Sequence, residues 1–174
     1  MRTLQTPADV RRFFRGNATP VYYVSTTAFN LLGAEEGIGG LRFLNAVDCY
    51  DGRRPNVFIP DGLPPDCLGS YAACNNALLS HPAVAEHVRA RGPGGKALFL
   101  MFDGETERLA ARLGLEVCFP PAALRHHLDS KLTTTRLADK AGVASAPRRQ
   151  GPRRGTPYGS SRRGSNTRLF AIGG

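Results

Sequence analysis

The chain has 174 residues, a formal net charge of +9, 41% apolar residues, 20 Gly, 13 Pro, 4 Cys and no Trp, enough for one globular core plus a short appendage. Its longest apolar run, Ala97-Leu98-Phe99-Leu100-Met101-Phe102, is far short of the roughly 20 residues that cross a bilayer, and Met1 to Arg15 lacks the apolar stretch of a secretory signal. A cytoplasmic location without a membrane partner is therefore expected. The charge is unevenly placed: residues 148–174 hold seven Arg and no Asp, Glu or Lys, leaving 16 basic and 14 acidic side chains in the first 147 residues. The body is nearly neutral, so nucleic acid is not the expected partner, and the Arg-, Gly-, Ser- and Pro-rich tail is expected to be largely disordered.

In chain order, Thr6-Pro7-Ala8-Asp9 sets a capping hydroxyl before a helix-starting proline and a first-turn acid, which predicts a helix from Pro7 to Arg15 closed by Gly16-Asn17. Val21 to Val24 is β-rich and is the first strand. Arg42 to Tyr50 and Asn56 to Ile59 are the next strands, and Asp51-Gly52 between them is a turn signal compatible with a hairpin. Tyr71 to Leu79 and Pro82 to Arg91 are helical in period. Gly92-Pro93-Gly94-Gly95 then breaks the chain before a strong strand, Lys96 to Phe102, a helix, Glu105 to Leu113, and a short strand, Glu116 to Phe119. Pro120-Pro121 opens a helix through Leu128. Ser130 to Ala141 makes another, with Asp129 or Ser130 as N-cap and Gly142 as the terminating glycine. Val143 to Pro147 is expected to be extended, and Thr167 to Ile172 alone has strand character in the tail.

Helices alternating with short apolar strands predict an α/β fold, a Rossmann-like three-layer sheet of mostly parallel strands followed by the basic tail. Val21 to Val24 and Ala97 to Phe102 are expected to be adjacent central strands, each buried on both faces. In such a sheet ligands sit at the carboxyl ends of the strands, which draws attention to Asp103 and Glu105.

Other chemistry-bearing residues are sparse. Gly37-Ile38-Gly39-Gly40 lacks the third glycine of a dinucleotide fingerprint, since position 42 is Arg, and reads as a flexible loop. Gly92 to Lys96 precedes a strand where a phosphate loop would follow one, and reads as a turn. His126-His127 has no carboxylate partner at helical spacing and reads as a solvated pair. Cys49, Cys67, Cys74 and Cys118 lack metal-ligand spacing, so no metal site is assigned and each is expected to be a small, partly buried thiol.

The stretch Asp129-Ser130-Lys131-Leu132 to Gly142-Val143-Ala144-Ser145-Ala146-Pro147 resembles the segment by which ATP-grasp enzymes, and most closely the biotin carboxylase-like ATP-grasp proteins, pass from an N-terminal Rossmann-like domain to the ATP-binding domain. Lys131, the Gly142-Val143 pair eleven residues on, and Pro147 five residues after the glycine match the spacing. Ser130 stands where the family often has Asp. The resemblance implies a Rossmann-like pre-ATP-grasp domain over 1–128, a helix and extended lead-in to an ATP-grasp domain over 129–147, and a tail over 148–174. It implies an ATP- and Mg²⁺-dependent ligase that activates a carboxylate substrate as an acyl phosphate. Lys131 would face ATP phosphate oxygens as a point charge, and Gly159, Ser160 and Ser161 resemble the family's glycine-rich phosphate loop. A homodimer is allowed for.

The chain departs from that pattern late. Asp139 is its last acidic residue, so no carboxylate follows to hold Mg²⁺. Residues 148–154 do not resemble the expected β-rich continuation, and 20 Arg against 3 Lys suggest a GC-rich gene whose out-of-frame product would look like this tail. The expectation is a catalytically incomplete N-terminal part of such a ligase, truncated or shifted in frame after about residue 147. The alternative is a small α/β binding module whose basic tail contacts nucleic acid or another polyanion.

Overall fold

The computed structural model describes residues 4–49 and 54–143. The first helix, α1 (Pro7–Arg15), starts where the sequence predicts. Thr6 Oγ1 accepts the Asp9 N–H at 3.2 Å while the Asp9 carboxylate accepts the Thr6 N–H at 3.1 Å, a reciprocal capping box with Pro7 at the first helical position. Strands β1 (Val21–Ser25), β2 (Leu41–Asn45), β3 (Val57–Phe58), β4 (Lys96–Phe99) and β5 (Glu116–Val117) form one sheet in the order β3-β2-β1-β4-β5, with every pair parallel. This is the α/β, Rossmann-like arrangement. Val21 pairs with Leu41 on one side and Lys96 on the other, which makes β1 the centre of the sheet.

Helices α2 (Tyr71–Ser80), α3 (Pro82–Arg89) and α4 (Gly104–Arg112) cover one face. Leu78, Val84, Val88 and Leu109 there enclose Tyr22, Val24, Leu44, Ala97 and Phe99. The opposite face is closed by the β1–β2 connection, whose 3₁₀ turns Phe29–Leu31 and Ala34–Glu36 bring Leu31, Leu32, Ala34 and Ile38 onto Val21, Tyr23, Leu41 and Phe43. Helix α5 (Ala122–Asp129) packs on α4, and α6 (Lys131–Lys140) packs on α5 without burying any residue of its own.

Four expectations are corrected. Residues 42–50 and 56–59 do not make a hairpin: β3 lies parallel to β2, with Phe43 opposite Val57. The β2 strand stops at Asn45 because the Ala46 and Val47 N–H groups both turn onto the Thr26 carbonyl, at 3.1 and 3.0 Å. The β4 strand stops at Phe99, since Phe102 folds back to place its ring 5.5 Å from that of Phe99. Finally, β1 is buried on both faces, but Lys96 and Leu98 of β4 are only half-buried, because the short turns on that face extend over β1 and β2 and little further.

Candidate functional site

A Rossmann-like sheet leaves its ligand crevice outside the carboxyl ends of the strands, where the connections diverge. Here β1 runs straight into Thr26-Thr27-Ala28, and α2 begins beside it behind its N-cap Ser70. Between them lies a cleft of ≈ 710 Å³ lined by Ser25, Thr26, Thr27, Asn30, Ser70 and Tyr71, with Phe29 and Leu68 as apolar walls. No Asp, Glu, Lys, Arg or His side chain lines it. The Thr27 and Ser70 hydroxyl oxygens already accept backbone N–H groups, from Phe29 at 2.9 Å and Ala73 at 3.1 Å, so their hydrogens are left to donate outward. The cleft presents neutral donors to whatever enters it.

Its floor is fixed by buried amides. Asn45 sits in register with Ser25 across β1 and β2, and its Nδ2 donates to the Ser25 carbonyl at 3.1 Å and the Ser25 hydroxyl at 3.0 Å, while Ser25 donates to the Thr27 carbonyl at 2.5 Å. On α2, Asn75 Nδ2 donates to the Met101 carbonyl at 2.7 Å and holds the turn after β4. Cys74, beneath the cleft, contacts Thr26 and Cys67. Burial pushes its thiol pKa up, partly offset by the Thr26 hydroxyl. Buried thiols of raised pKa are poor nucleophiles.

The residues singled out in the sequence lie elsewhere. Lys131 is the first residue of α6, exposed, on a helix capped by Ser130, whose hydroxyl accepts the Thr133 N–H at 3.4 Å. Gly159, Ser160 and Ser161 lie outside the described residues, as do all but Val143 of the segment 143–147 expected to be extended and the whole of 167–172, where strand character was expected. Asp103 is spent on structure. It caps α4, accepting from the Thr106 N–H at 2.8 Å and the Thr106 hydroxyl at 3.0 Å, with Asn76 alongside; burial pushes its pKa up, but these hydrogen bonds outweigh that and hold it below the usual carboxylate value. Glu105 pairs with Arg108 on the surface. Glu107 reaches across to the next element, its Oε1 accepting the Ala122 N–H at 2.8 Å and so capping α5, which has no cap of its own.

The glycine motifs are structural. Gly39 and Gly40 are wedged against the α1–β1 corner: a Cβ on Gly39 would lie 2.6 Å from the Arg15 carbonyl oxygen and 2.7 Å from that of Asn17. Asn17 Nδ2 donates to the Gly39 and Thr19 carbonyls at 2.8 and 2.7 Å, so this segment is a locked corner where the sequence suggested a flexible loop. Gly95 packs against Tyr22 and Leu115, and Lys96 pairs with Glu116 at 2.7 Å at the amino end of the sheet, away from the crevice. His126 and His127 are exposed in the last turn of α5. All four cysteines are free thiols, three of them buried and Cys118 exposed.

Sequence reasoning passed over the cleft residues, although Ser25-Thr26-Thr27 directly after the first strand was a legible signal, a run of hydroxyls where α/β folds place ligands. Among the described residues no three His, Cys, Asp or Glu side chains converge as a metal site, and no helix is long and apolar enough to cross a membrane. Of the residues assigned to ATP, the described residues include Lys131 alone. Comparison with known proteins gives no match: no family model, no curated protein and no solved structure is significantly similar to this chain.

Proposed function

We propose that this chain is the N-terminal, Rossmann-like part of an ATP-dependent carboxylate ligase of the ATP-grasp, biotin carboxylase-like type. One observation carries the reading: the all-parallel sheet passes through α5 into a Ser130-capped helix that opens with Lys131 and ends on Gly142, which has φ of 69°. The spacing that resembles the family's inter-domain segment thus begins at the first residue of this helix and reaches Gly142 just past its end, while Pro147 lies outside the described residues. The Lys131 ammonium is free to meet phosphate oxygens, and the donor-lined cleft at β1 suits a ligand rich in acceptors, such as a carboxylate. Carboxylates that would hold Mg²⁺ are not supplied after Asp139, so this chain is expected to bind nucleotide weakly and not to turn it over.

The test is a titration of the isotopically labelled chain with ATP, with and without Mg²⁺, followed by amide shifts and by ADP release. Shifts centred on residues 130–134, weakened about tenfold or more by Lys131→Ala as expected for a lost charge-assisted contact, with no ADP formed, support the proposal. Absence of any shift at Lys131 refutes the nucleotide assignment. Magnesium-dependent hydrolysis abolished by Lys131→Ala would show a complete site and refute the incompleteness.

A further inference from the structure

The most one-sided surface of the molecule is α1. Advancing 100° per residue, Val10, Phe13 and Phe14 fall on one arc of the helix and Arg11, Arg12 and Arg15 on the opposite arc. None of its residues is buried: Phe13 is 58% exposed and Phe14 42%, their rings are set edge to face with centroids 5.4 Å apart, and Leu4 and Val10 extend the same apolar surface. The helix does not depend on a covering partner for its shape. Its start is fixed by the Thr6–Asp9 capping box, and its end is tied to the body by the Gly39 N–H donating to the Phe14 carbonyl at 2.8 Å. Its one acid, Asp9, is occupied by that cap and by Arg12 at 3.8 Å, leaving the polar arc basic.

We propose that α1 is an interfacial helix that lies on an anionic lipid surface. The separation of the two arcs is what selects this occupant. In the plane of a bilayer interface Val10, Phe13 and Phe14 enter the acyl boundary, while the arginines, on long flexible stems, reach up to lipid phosphates. A single-stranded nucleic acid would be held by aromatic and basic side chains interleaved on one face, and a duplex docked on the arginines would leave Phe13 and Phe14 uncovered. A helix of nine residues gives weak, reversible attachment, and the seven arginines of residues 148–174 add attraction to the same charge. The inference is independent of the ligase reading, and a criterion based on spanning length does not register a helix of this kind.

The absence of Trp from the chain supplies the assay. The full-length variant Phe13→Trp carries a single indole on the proposed contact face. With phosphatidylcholine vesicles containing about one part in three phosphatidylglycerol, its emission should move to shorter wavelength and be quenched by lipids brominated in the acyl chain, and pure phosphatidylcholine should do neither. In sedimentation with the same anionic vesicles, Phe13→Ser with Phe14→Ser should weaken binding of the otherwise unchanged chain about tenfold or more. Arg11→Gln with Arg15→Gln should weaken it several-fold and flatten its salt dependence. Both faces are exposed, so circular dichroism should show an unchanged fold. A chain that sediments with vesicles while the indole emission stays put would assign binding to the tail alone and overturn the proposal. So would an emission shift that needs no lipid and tracks a dimer abolished by the Phe13→Ser, Phe14→Ser pair, or one produced equally by duplex DNA.

Discussion

The corner formed by Gly39 and Gly40 separates two costs that are usually confounded. Gly39 has ordinary backbone angles but faces two carbonyl oxygens at 2.6 and 2.7 Å from a would-be Cβ, and backbone cannot swing away as a side chain can. Gly33 is the converse, with φ of 86° and nothing within 4 Å. Gly40 has both burdens, φ of 77° and the Thr19 carbonyl oxygen at 2.8 Å. Gly33→Ala should then cost about 1 kcal/mol, the left-handed penalty less the entropy gained by restricting the unfolded chain. Gly39→Ala should cost about 2–3 kcal/mol, the upper part of the overpacking range because both neighbours are main chain. Gly40→Ala should exceed either. Urea denaturation followed by circular dichroism gives the three values on one scale, and at about 2–4 °C per kcal/mol for a chain of this size the Gly39→Ala midpoint should fall by roughly 4–12 °C. A Gly39→Ala protein within about 0.5 kcal/mol of the parent, or one less affected than Gly33→Ala, would refute the packing of this segment against the α1–β1 corner.

Other outcomes follow from the core and the caps. Leu78→Ala removes a fully buried side chain between α2 and the sheet and should cost about 2–5 kcal/mol by chemical denaturation; a loss under about 1 kcal/mol would contradict its central position. Glu107→Ala should cost about 1 kcal/mol and speed hydrogen exchange in residues 122–129 while leaving β1 protected, because it uncaps α5; uniform acceleration would argue against a local role. His87, stacked on Phe58 with ring centroids 4.1 Å apart, has its pKa lowered to about 4 by burial and by the charges of Arg91 and Arg42. Since the unfolded chain binds the proton more tightly, stability should rise as pH goes from about 4 to about 6.5 and level off above, and His87→Gln should flatten that rise; an unchanged urea midpoint profile for the variant would refute the assignment.

What the sequence disclosed and what it withheld divide along the reach of the interactions. The bounds of α1 were legible to the residue, since Thr6, Pro7 and Asp9 act on neighbours within one turn. The Gly142 stop of α6 was legible for the same reason, and its N-cap was narrowed to Asp129 or Ser130, of which Ser130 serves. Pairing direction was not: Asp51-Gly52 is a local turn signal, whereas the choice of β3 to run parallel to β2 is a property of the whole sheet. The apolar run 96–102 concealed where β4 ends, because Leu100 and Met101 are as apolar as a strand yet stand 45% and 42% exposed. The candidate site was half legible. Its position after the first strand follows from the fold class, but the amides that brace it, Asn45 and Asn75, act across elements 20 and 26 residues apart. Asp103 looked like chemistry from its position and proved to be a cap because Thr106 and Asn76 use its oxygens.

The position of β1 between β2 and β4 has a consequence for the order in which the chain is made. The second neighbour of Val21 to Val24 emerges roughly 70 residues after β1 itself, which at about 5–20 residues per second is several seconds of synthesis. During that interval Val-Tyr-Tyr-Val presents one unpaired edge of high β propensity, the kind of segment that recruits another chain. Every strand pairing in this sheet is parallel, so no hairpin can protect it early. Nascent chains halted before residue 96 should therefore aggregate, and those released after residue 117, with β4 and β5 in place, should not.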